Sequence, residues 1–375
     1  MELVTPLGAL SESSMPRERM LKTIKTAALH GSRSLGLFGV VGRSSWRNHR
    51  LLILCYHGVS QQDEHLWNPA LYLPQAALRQ QLQLLARNGC SVLPLGEALS
   101  RLRRNDLPPR SVVITFDDGP YDFFVRALPV IREFGVPVTV YQTSYYSTFN
   151  RPVFDVTCSY LLWKGQDKRL EGLEFTGAVG LLDIRSEAGR SEACLQIRQH
   201  AQHRGLSAHG KDELLERLAT ALGVDLHSVR SNRLLHLMKP DELHQVIGAG
   251  VDVQLHTHRH RMPRDRDLFA REIHENRRFL AEVGQAATDH FCYPSGEYAE
   301  CFLPWLTELG VQSATTCEAG FASSRTPPLL LPRVGVPSSL TDIEFEGWLH
   351  GVSQGLPTSF LSLSHHSIRS LTVFS

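Results

Sequence analysis

Five short apolar runs constrain this chain most, because each needs burial on at least one face and each stops at polar or turn-forming residues. Leu51-Leu52-Ile53-Leu54-Cys55-Tyr56 stops at His57-Gly58, and Val112-Val113-Ile114-Thr115-Phe116 stops at Asp117-Asp118. Val138-Thr139-Val140-Tyr141 runs into Gln142-Thr143-Ser144, and Val251-Asp252-Val253-Gln254-Leu255 alternates with period two up to His256. Phe291-Cys292-Tyr293 is closed by Pro294-Ser295-Gly296. Runs of this kind read as strands. Between them lie stretches with apolar residues at helical spacing: 78–88 with Leu78, Leu82, Leu84 and Leu85, 122–134 with Phe123, Ala127, Leu128, Ile131 and Phe134, and 271–283 with Ile273, Phe279 and Leu280. Strands alternating with helices predict parallel βα units, hence an α/β fold. Polar residues gathered at one strand end predict a shared site there, where barrels and open α/β sheets carry their chemistry. The expectation is an irregular or incomplete (β/α) barrel. An open doubly wound sheet is the alternative, because spacing alone does not close a barrel.

Residues 155–240 interrupt the alternation with helical stretches, Ser159-Tyr160-Leu161-Leu162-Trp163 and 211–218 among them. The predicted organisation is a basic, helical leader over 1–50, a barrel domain over 51–350 carrying a helical insertion at about 155–240, and a tail over 351–375. The leader holds Arg17, Arg19, Lys22, Lys25, Arg33, Arg43, Arg47 and Arg50, with Met20, Leu21, Ile24 and Ala28 at helical spacing. A helix packing on the domain explains this, and so does peripheral contact with an anionic membrane face. A formal net charge of +1 leaves no global field to recruit nucleic acid. No apolar stretch reaches the roughly 20 residues of a transmembrane segment. The N-terminus lacks the pattern of a secretory signal. The 7 cysteines are odd in number and scattered, without a Cys-x-x-Cys pair. That fits a reducing, cytoplasmic setting, extending to the inner membrane face.

Asp117 and Asp118 are costly to bury side by side unless a cation or a shared proton neutralises one of them. A solvated Asp-Asp-Gly turn is the plain alternative. Downstream, His256-Thr257-His258-Arg259-His260 supplies imidazoles four apart, which with one carboxylate from elsewhere make a common three-ligand catalytic zinc set with an open position. Flanked by Arg259, Arg261 and Arg264, the same stretch also reads as a solvated basic segment.

Together these segments resemble the polysaccharide deacetylases, the family of the NodB-homology domain and carbohydrate esterase family four. Thr115-Phe116-Asp117-Asp118-Gly119 resembles the family's first motif. The 256–260 segment matches its His-Ser/Thr-x-x-His second motif, with His258 and Arg259 in the variable places. Tyr293-Pro294-Ser295-Gly296 resembles the Tyr-Pro-x-Gly form of the third motif, and Tyr56-His57-Gly58-Val59 the Tyr-His segment on the first strand of many members. The four occur in family order across residues 50–335.

The resemblance implies a deacetylase-type (β/α) barrel in which Asp118, His256 and His260 hold one divalent metal, most often zinc, and Asp117 is the general base. Thr257 would shape the ligand turn. Independently of the family, hydrolysing an acetamide needs a nucleophile at neutral pH. A bound Zn²⁺ meets that need by lowering the pKa of its water to roughly 7. A base must sit beside that water, and a backbone N–H must face the oxyanion, for which the Tyr293-Pro294 turn is the candidate. The leaving amine needs a proton donor. The family's usual acid is a histidine in a late Leu-x-His motif, and Leu361-Ser362-Leu363-Ser364-His365-His366 is the late segment of that kind, which makes His365 the candidate. His350 and His57 are further options, and His57 also reads as a strand-end residue lining the pocket. Cys292 stands where an arginine orients the base in the commoner Arg-x-Pro form. Arg333, after Leu331-Pro332, is the candidate substitute, with a core-edge arginine as its alternative.

The leading expectation is a metal-dependent hydrolase that removes an acyl group, N-acetyl first, from a sugar unit of a polysaccharide, oligosaccharide or lipid-linked saccharide. A second reading changes the bond, to another C–N amide or an O-acetyl ester. A third is a catalytically silent carbohydrate-binding or regulatory homologue. The missing acid motif favours the third, and the intact Asp117, Asp118, His256 and His260 oppose it.

Overall fold

The computed structural model describes residues 14–354 and 356, apart from 172 and 178–181. Six parallel strands form its centre: β1 (Leu51–Tyr56), β2 (Ser111–Phe116), β3 (Thr139–Gln142), β4 (Asp252–Leu255), β5 (His290–Cys292) and β6 (Ser313–Thr315). They pair in that order, β1 with β2, β2 with β3, β3 with β4, β4 with β5 and β5 with β6. The segment after β6 joins the two ends of this row. Leu331 bridges Thr315 in parallel, and its N–H donates to the Ala314 carbonyl at 2.9 Å. Three residues on, β7 (Val334–Gly335) pairs in parallel with Leu54 and Cys55 of β1. The sheet therefore curls into an irregular barrel whose last stave is a short, broken strand. β6 and β7 were not among the strands expected from sequence, since runs of three and two residues carry no readable period.

Period-two alternation sorts the strands into an inner and an outer layer. Leu51, Ile53 and Val113 point inward and pack with Tyr141, Cys292 and the helix Leu95–Arg104, whose Leu95, Ala98, Leu99 and Leu102 stop the N-terminal end of the barrel. Leu52, Leu54, Tyr56, Val112, Ile114 and Phe116 point outward, under Leu78, Leu82 and Leu85 of the helix Gln75–Arg87 and under Ile273 and Leu280 of Arg266–Glu282. The stretch expected as one helix over 122–134 is a π-helical turn, Phe123–Ala127, followed by the helix Leu128–Phe134 with Pro129 in its first turn. Proline lacks the N–H that a continuous α-helix would need there, so the chain widens by one residue before it resumes.

The region between β3 and β4 builds a second apolar core from the helices Phe154–Lys164, Glu187–His203, Ala208–Leu222 and Leu226–Ser231. It sits at the C-terminal end of the strands. Its returning strap donates Met238 N–H to the Gly119 carbonyl, and the Tyr121 N–H donates to the His236 carbonyl. On its other flank Tyr160 OH donates to Asp63 at 2.6 Å, in the loop that follows β1.

The N-terminal helix Ser14–Ser34 packs against the C-terminal helix Asp342–His350. Lys25 lies 3.6 Å from Glu344, Arg33 Nη1 lies 2.5 Å from Glu346, and Lys22 donates to the Ser339 carbonyl. Arg47 is fully buried and donates to the carbonyls of Leu349, Arg50 and Ser111 at 2.9, 2.8 and 3.3 Å. Part of the basic character of this segment is thus structural. No described helix is long and apolar enough to cross a membrane. Arg47→Leu strips donors from three carbonyls at the base of the barrel and should lower unfolding stability by about 2–4 kcal/mol, measured by urea denaturation. A change under about 0.5 kcal/mol would sink this reading of Arg47.

Candidate metal centre and base

Strand phase brings Asp117 into the barrel, in register with Val113 and Thr115. Continued extension would send Asp118 outward, but its φ of 69° turns the chain into the left-handed region and swings its carboxylate to the mouth. Gly119 follows at φ +72°, and a Cβ there would lie 1.8 Å from Gln142 Oε1, so both the turn and the close approach require glycine. The Asp118 side chain is 31% exposed and that of Asp117 only 3%, which separates the neighbours into a mouth-facing and an interior carboxylate.

Asp118 Oδ1 lies 3.1 Å from His256 Nε2 and 3.1 Å from His260 Nε2. The other nitrogen of His256, Nδ1, is 2.9 Å from the Cys292 carbonyl, an obligate acceptor, so Nδ1 carries a proton and Nε2 is the nitrogen turned to Asp118, where a bound ion would take its lone pair. Three electron-rich atoms then converge, all within 4.8 Å of one another. A cation satisfies such a set, and two imidazoles with one carboxylate are what a divalent ion of the zinc type takes while keeping a position open. The residues present therefore fit a metal.

Behind this trio Asp117 is gripped bidentately by Arg333, with Nη1 to Oδ1 and Nη2 to Oδ2 both at 2.7 Å. Arg333 is itself buried, held by Thr115 Oγ1 and the Thr316 carbonyl, and its Nη2 also reaches Cys292 Sγ at 3.0 Å. Burial works to raise the Asp117 carboxyl, but the guanidinium outweighs it and holds the group well below the usual carboxylate range. The thiols of Cys55 and Cys292 approach Oδ2 at 3.5 and 3.4 Å, and burial keeps the Cys55 thiol protonated by pushing it well up. An oxygen of Asp117 also lies within 4.8 Å of a His256 ring nitrogen, so interior carboxylate and trio share one mouth.

The loop 256–261 that carries both histidines is clamped from behind. Glu272, 1% exposed, accepts from the Arg259 N–H and from the side chains of Arg259 and Arg261. Thr257 Oγ1 accepts from the Arg261 N–H at 3.1 Å, which makes it the brace of the turn. Asn276 takes the His256 N–H and donates to the Gln142 carbonyl and Ser144 Oγ. Sequence reading missed Glu272 and Asn276. The available signal was a polar residue in the apolar phase of one helix, since 269, 273, 276 and 280 fall on its buried face.

Other candidates divide. His57 Nε2 stands 3.9 Å from Asp117 Oδ2, with its side chain 15% exposed. Tyr293 is buried, with its hydroxyl donating to the Leu329 carbonyl and its N–H to the Thr315 carbonyl, so the backbone donor expected at the oxyanion is engaged within the fold. His350 pairs with Asn88 at 2.8 Å and packs on Phe38, among the terminal helices. His365 lies outside the described residues.

Comparison with known proteins agrees with this geometry. The sequence profile of the family described as polysaccharide deacetylase matches residues 104–154 and 211–314. Poly-beta-1,6-N-acetyl-D-glucosamine N-deacetylase of Escherichia coli is 27% identical over 99 residues, which are 26% of this chain and 14% of that protein's length. The chain thus matches about a seventh of that curated relative. Among solved structures, Streptococcus pyogenes deacetylase PplD, in complex with acetate, superposes with a TM-score of 0.51 at 18% identity, covering 82% of this chain and 98% of that one. IcaB from Ammonifex degensii superposes at 0.50 and 18%, covering 80% and 97%. At these identities the structural likeness is one of fold, an α/β barrel of the deacetylase type. Profile, relatives and fold point the same way, and over the matched residues the chain is similar to the polysaccharide deacetylases.

Proposed function

We propose that this chain is a metal-dependent hydrolase that removes an acetyl group from the nitrogen of an amino sugar in a polysaccharide, oligosaccharide or lipid-linked saccharide. The observation that carries the reading is the separation of two adjacent carboxylates, one meeting both imidazoles at the mouth and the other locked to a buried arginine. A silent binding homologue needs neither arrangement.

Asp118, His256 and His260 would hold the ion, zinc first among the candidates, and when bound it polarises the amide carbonyl and lowers the pKa of a water. Asp117 takes the proton of the attacking water. The Arg333 pairing that lowers its proton affinity keeps it ionised at neutral pH, the form a base must have. Arg333 keeps Asp117 ionised and aims it. We assign proton delivery to the leaving amine to His57, on the ground that its ring nitrogen lies near Asp117 at the mouth. Water gives one proton to Asp117 and His57 gives one to the amine, and return of the Asp117 proton to His57, 3.9 Å away, restores both groups after acetic acid and the free amine leave. Tyr293, with both donors engaged, serves as a wall of the site. Exposed Leu35 and Val40 beside the exposed Arg43 support peripheral contact with an anionic membrane face, and a cytoplasmic location goes with that reading.

Three tests follow from these roles. Asp117→Asn should retain the metal, measured by elemental analysis, and lose about 10²–10⁴-fold in acetate release, whereas His256→Ala should lose the metal. Acetate release by Asp117→Asn at the wild-type rate would overturn the base assignment, and a wild type that takes up no metal would overturn the mechanism. His57→Gln should depress turnover of an N-acetyl sugar far more than that of an aryl acetate, whose leaving group departs without a proton; equal losses on both would remove His57 from the acid role. Arg333→Leu should cost about 3–5 kcal/mol near pH 7 by leaving a buried charge alone. The sign with pH follows from Asp117. Paired, its carboxyl sits below the unfolded value of about 3.9, so its contribution is present above that pH and lost as pH falls through the folded value. Unpaired, burial lifts it above the unfolded value. The stability deficit of Arg333→Leu should therefore be smaller at pH 4 than at pH 7, and shrink further as the pH falls below 4. A deficit independent of pH would refute the pairing as the cause.

A further inference from the structure

A cavity of about 560 Å³ opens between the loop that bears His256 and His260 and the insertion's helix Ala208–Leu222. That is the size of a site for a small organic group or one sugar residue. Its lining is unusual in charge. Arg151, Lys211, Arg259 and Arg261 face it against a single lining carboxylate, Asp212, while Asp155, outside the lining, acts on Lys211. Glu272 and Glu275 offset two of these cations, but from behind: Glu272 is 1% exposed. Arg261 gives Nε to Glu272 and its side chain stays 42% exposed, and Arg151, 3.4 Å from Asp212, stays 40% exposed. Donors are thus left facing the opening.

The remaining wall is aromatic. Tyr145 and Phe149 meet edge to face at 5.2 Å, and Phe154 lies under Lys211 at 5.4 Å. This wall is tied to the candidate metal centre. The Tyr145 N–H donates to the His258 carbonyl at 2.7 Å, and the Tyr145 ring stands 5.6 Å from the His258 ring, between the two histidines of the trio in sequence.

We propose that this cavity is a subsite for an anionic sugar residue, carrying a carboxylate or a phosphate, next to the residue that is deacetylated. The proposal rests on the deacetylase reading given above. The exposed Phe149 ring takes the apolar C–H face of a pyranose, and the guanidinium groups pair with the anion in the forked geometry that carboxylate and phosphate share. A neutral glycan would cover the outward donors of the exposed Arg151 and Arg261 without an anion to accept from them, which costs binding energy.

Calorimetric binding tests this without relying on turnover, using a hyaluronan tetrasaccharide, in which glucuronate alternates with N-acetylglucosamine, against neutral chitotetraose. A second pair, N-acetylglucosamine 1-phosphate against N-acetylglucosamine, separates phosphate from carboxylate recognition. The wild type should bind at least one acidic member about tenfold more tightly than its neutral counterpart, with the preference shrinking as salt is added. Arg261→Ala and Lys211→Ala, checked for unchanged thermal unfolding, should each erase most of that preference. Equal binding of acidic and neutral ligands by the wild type, or a preference untouched in both variants, overturns the subsite. Acetate release is read in parallel: a charge preference without any acetate release sinks the deacetylase reading alone, while acetate release without the preference sinks the subsite alone.

Discussion

The buried pair of Asp117 and Arg333 is the interaction on which the rest of the molecule turns. Arg333 belongs to the short segment that joins the last parallel strand to the first, with Leu331 bridged to Thr315 and Val334 paired with Leu54. Closing the barrel and delivering the guanidinium are therefore one structural event. A carboxylate with 3% side-chain exposure is tolerable in the interior only because a cation arrives on the closing segment, two strands away, with two hydrogen bonds of 2.7 Å. The dependence also runs the other way. Arg333 has few ways to be buried without Asp117, so the broken last strand is pinned by the charge it carries as much as by its backbone bonds.

The mouth is built from backbone that resists its own conformation. Among the described residues, Asp118, Thr257, His260 and Ser295 hold positive φ without being glycine, and each falls in or beside one of the motifs. Such conformations cost roughly 1–3 kcal/mol each and persist only when their surroundings over-determine them. The over-determination is visible around the 256–261 loop, where Glu272 binds three donors and Asn276 holds the His256 amide. Strain and clamp together fix where two imidazoles point. A flexible loop would let them drift apart, since neutral lone pairs do not attract one another.

Much of this was legible in the chain itself, for reasons that differ from residue to residue. The run from Val112 to Phe116 reads as a strand because burial on both faces leaves it uniformly apolar. Asp117 is readable because a carboxylate pair ending a buried strand calls for a cation, and the histidines downstream favour that over a solvated turn. The two histidines are readable by spacing. Arg333 was visible as a candidate for one side of a pair, but its partner lies 216 positions away and only the closed sheet brings them together. The strands Ser313–Thr315 and Val334–Gly335 were not legible, being too short for any period to show. The engagement of both Tyr293 donors was equally hidden, because the acceptors, Leu329 and Thr315, come from later segments without a motif.

The insertion is where general chemistry gives way to what is particular to this chain. Its returning strap binds the Gly119 carbonyl directly beside the two carboxylates, while its helix Ala208–Leu222 forms the far wall of the cationic cavity. One body therefore touches both the motif that the chemistry needs and the opening that a substrate must fill. The same insertion that lines the cavity is hydrogen-bonded, through the strap at His236 and Met238, to the turn that follows Asp118. A glycan pressed against Arg261 likewise bears on the loop that carries His260, one residue away. Selection of substrate and alignment of the candidate metal ligands are mechanically linked here, so a sugar that fits the cavity badly is expected to be handled badly even when its acetamide reaches the mouth.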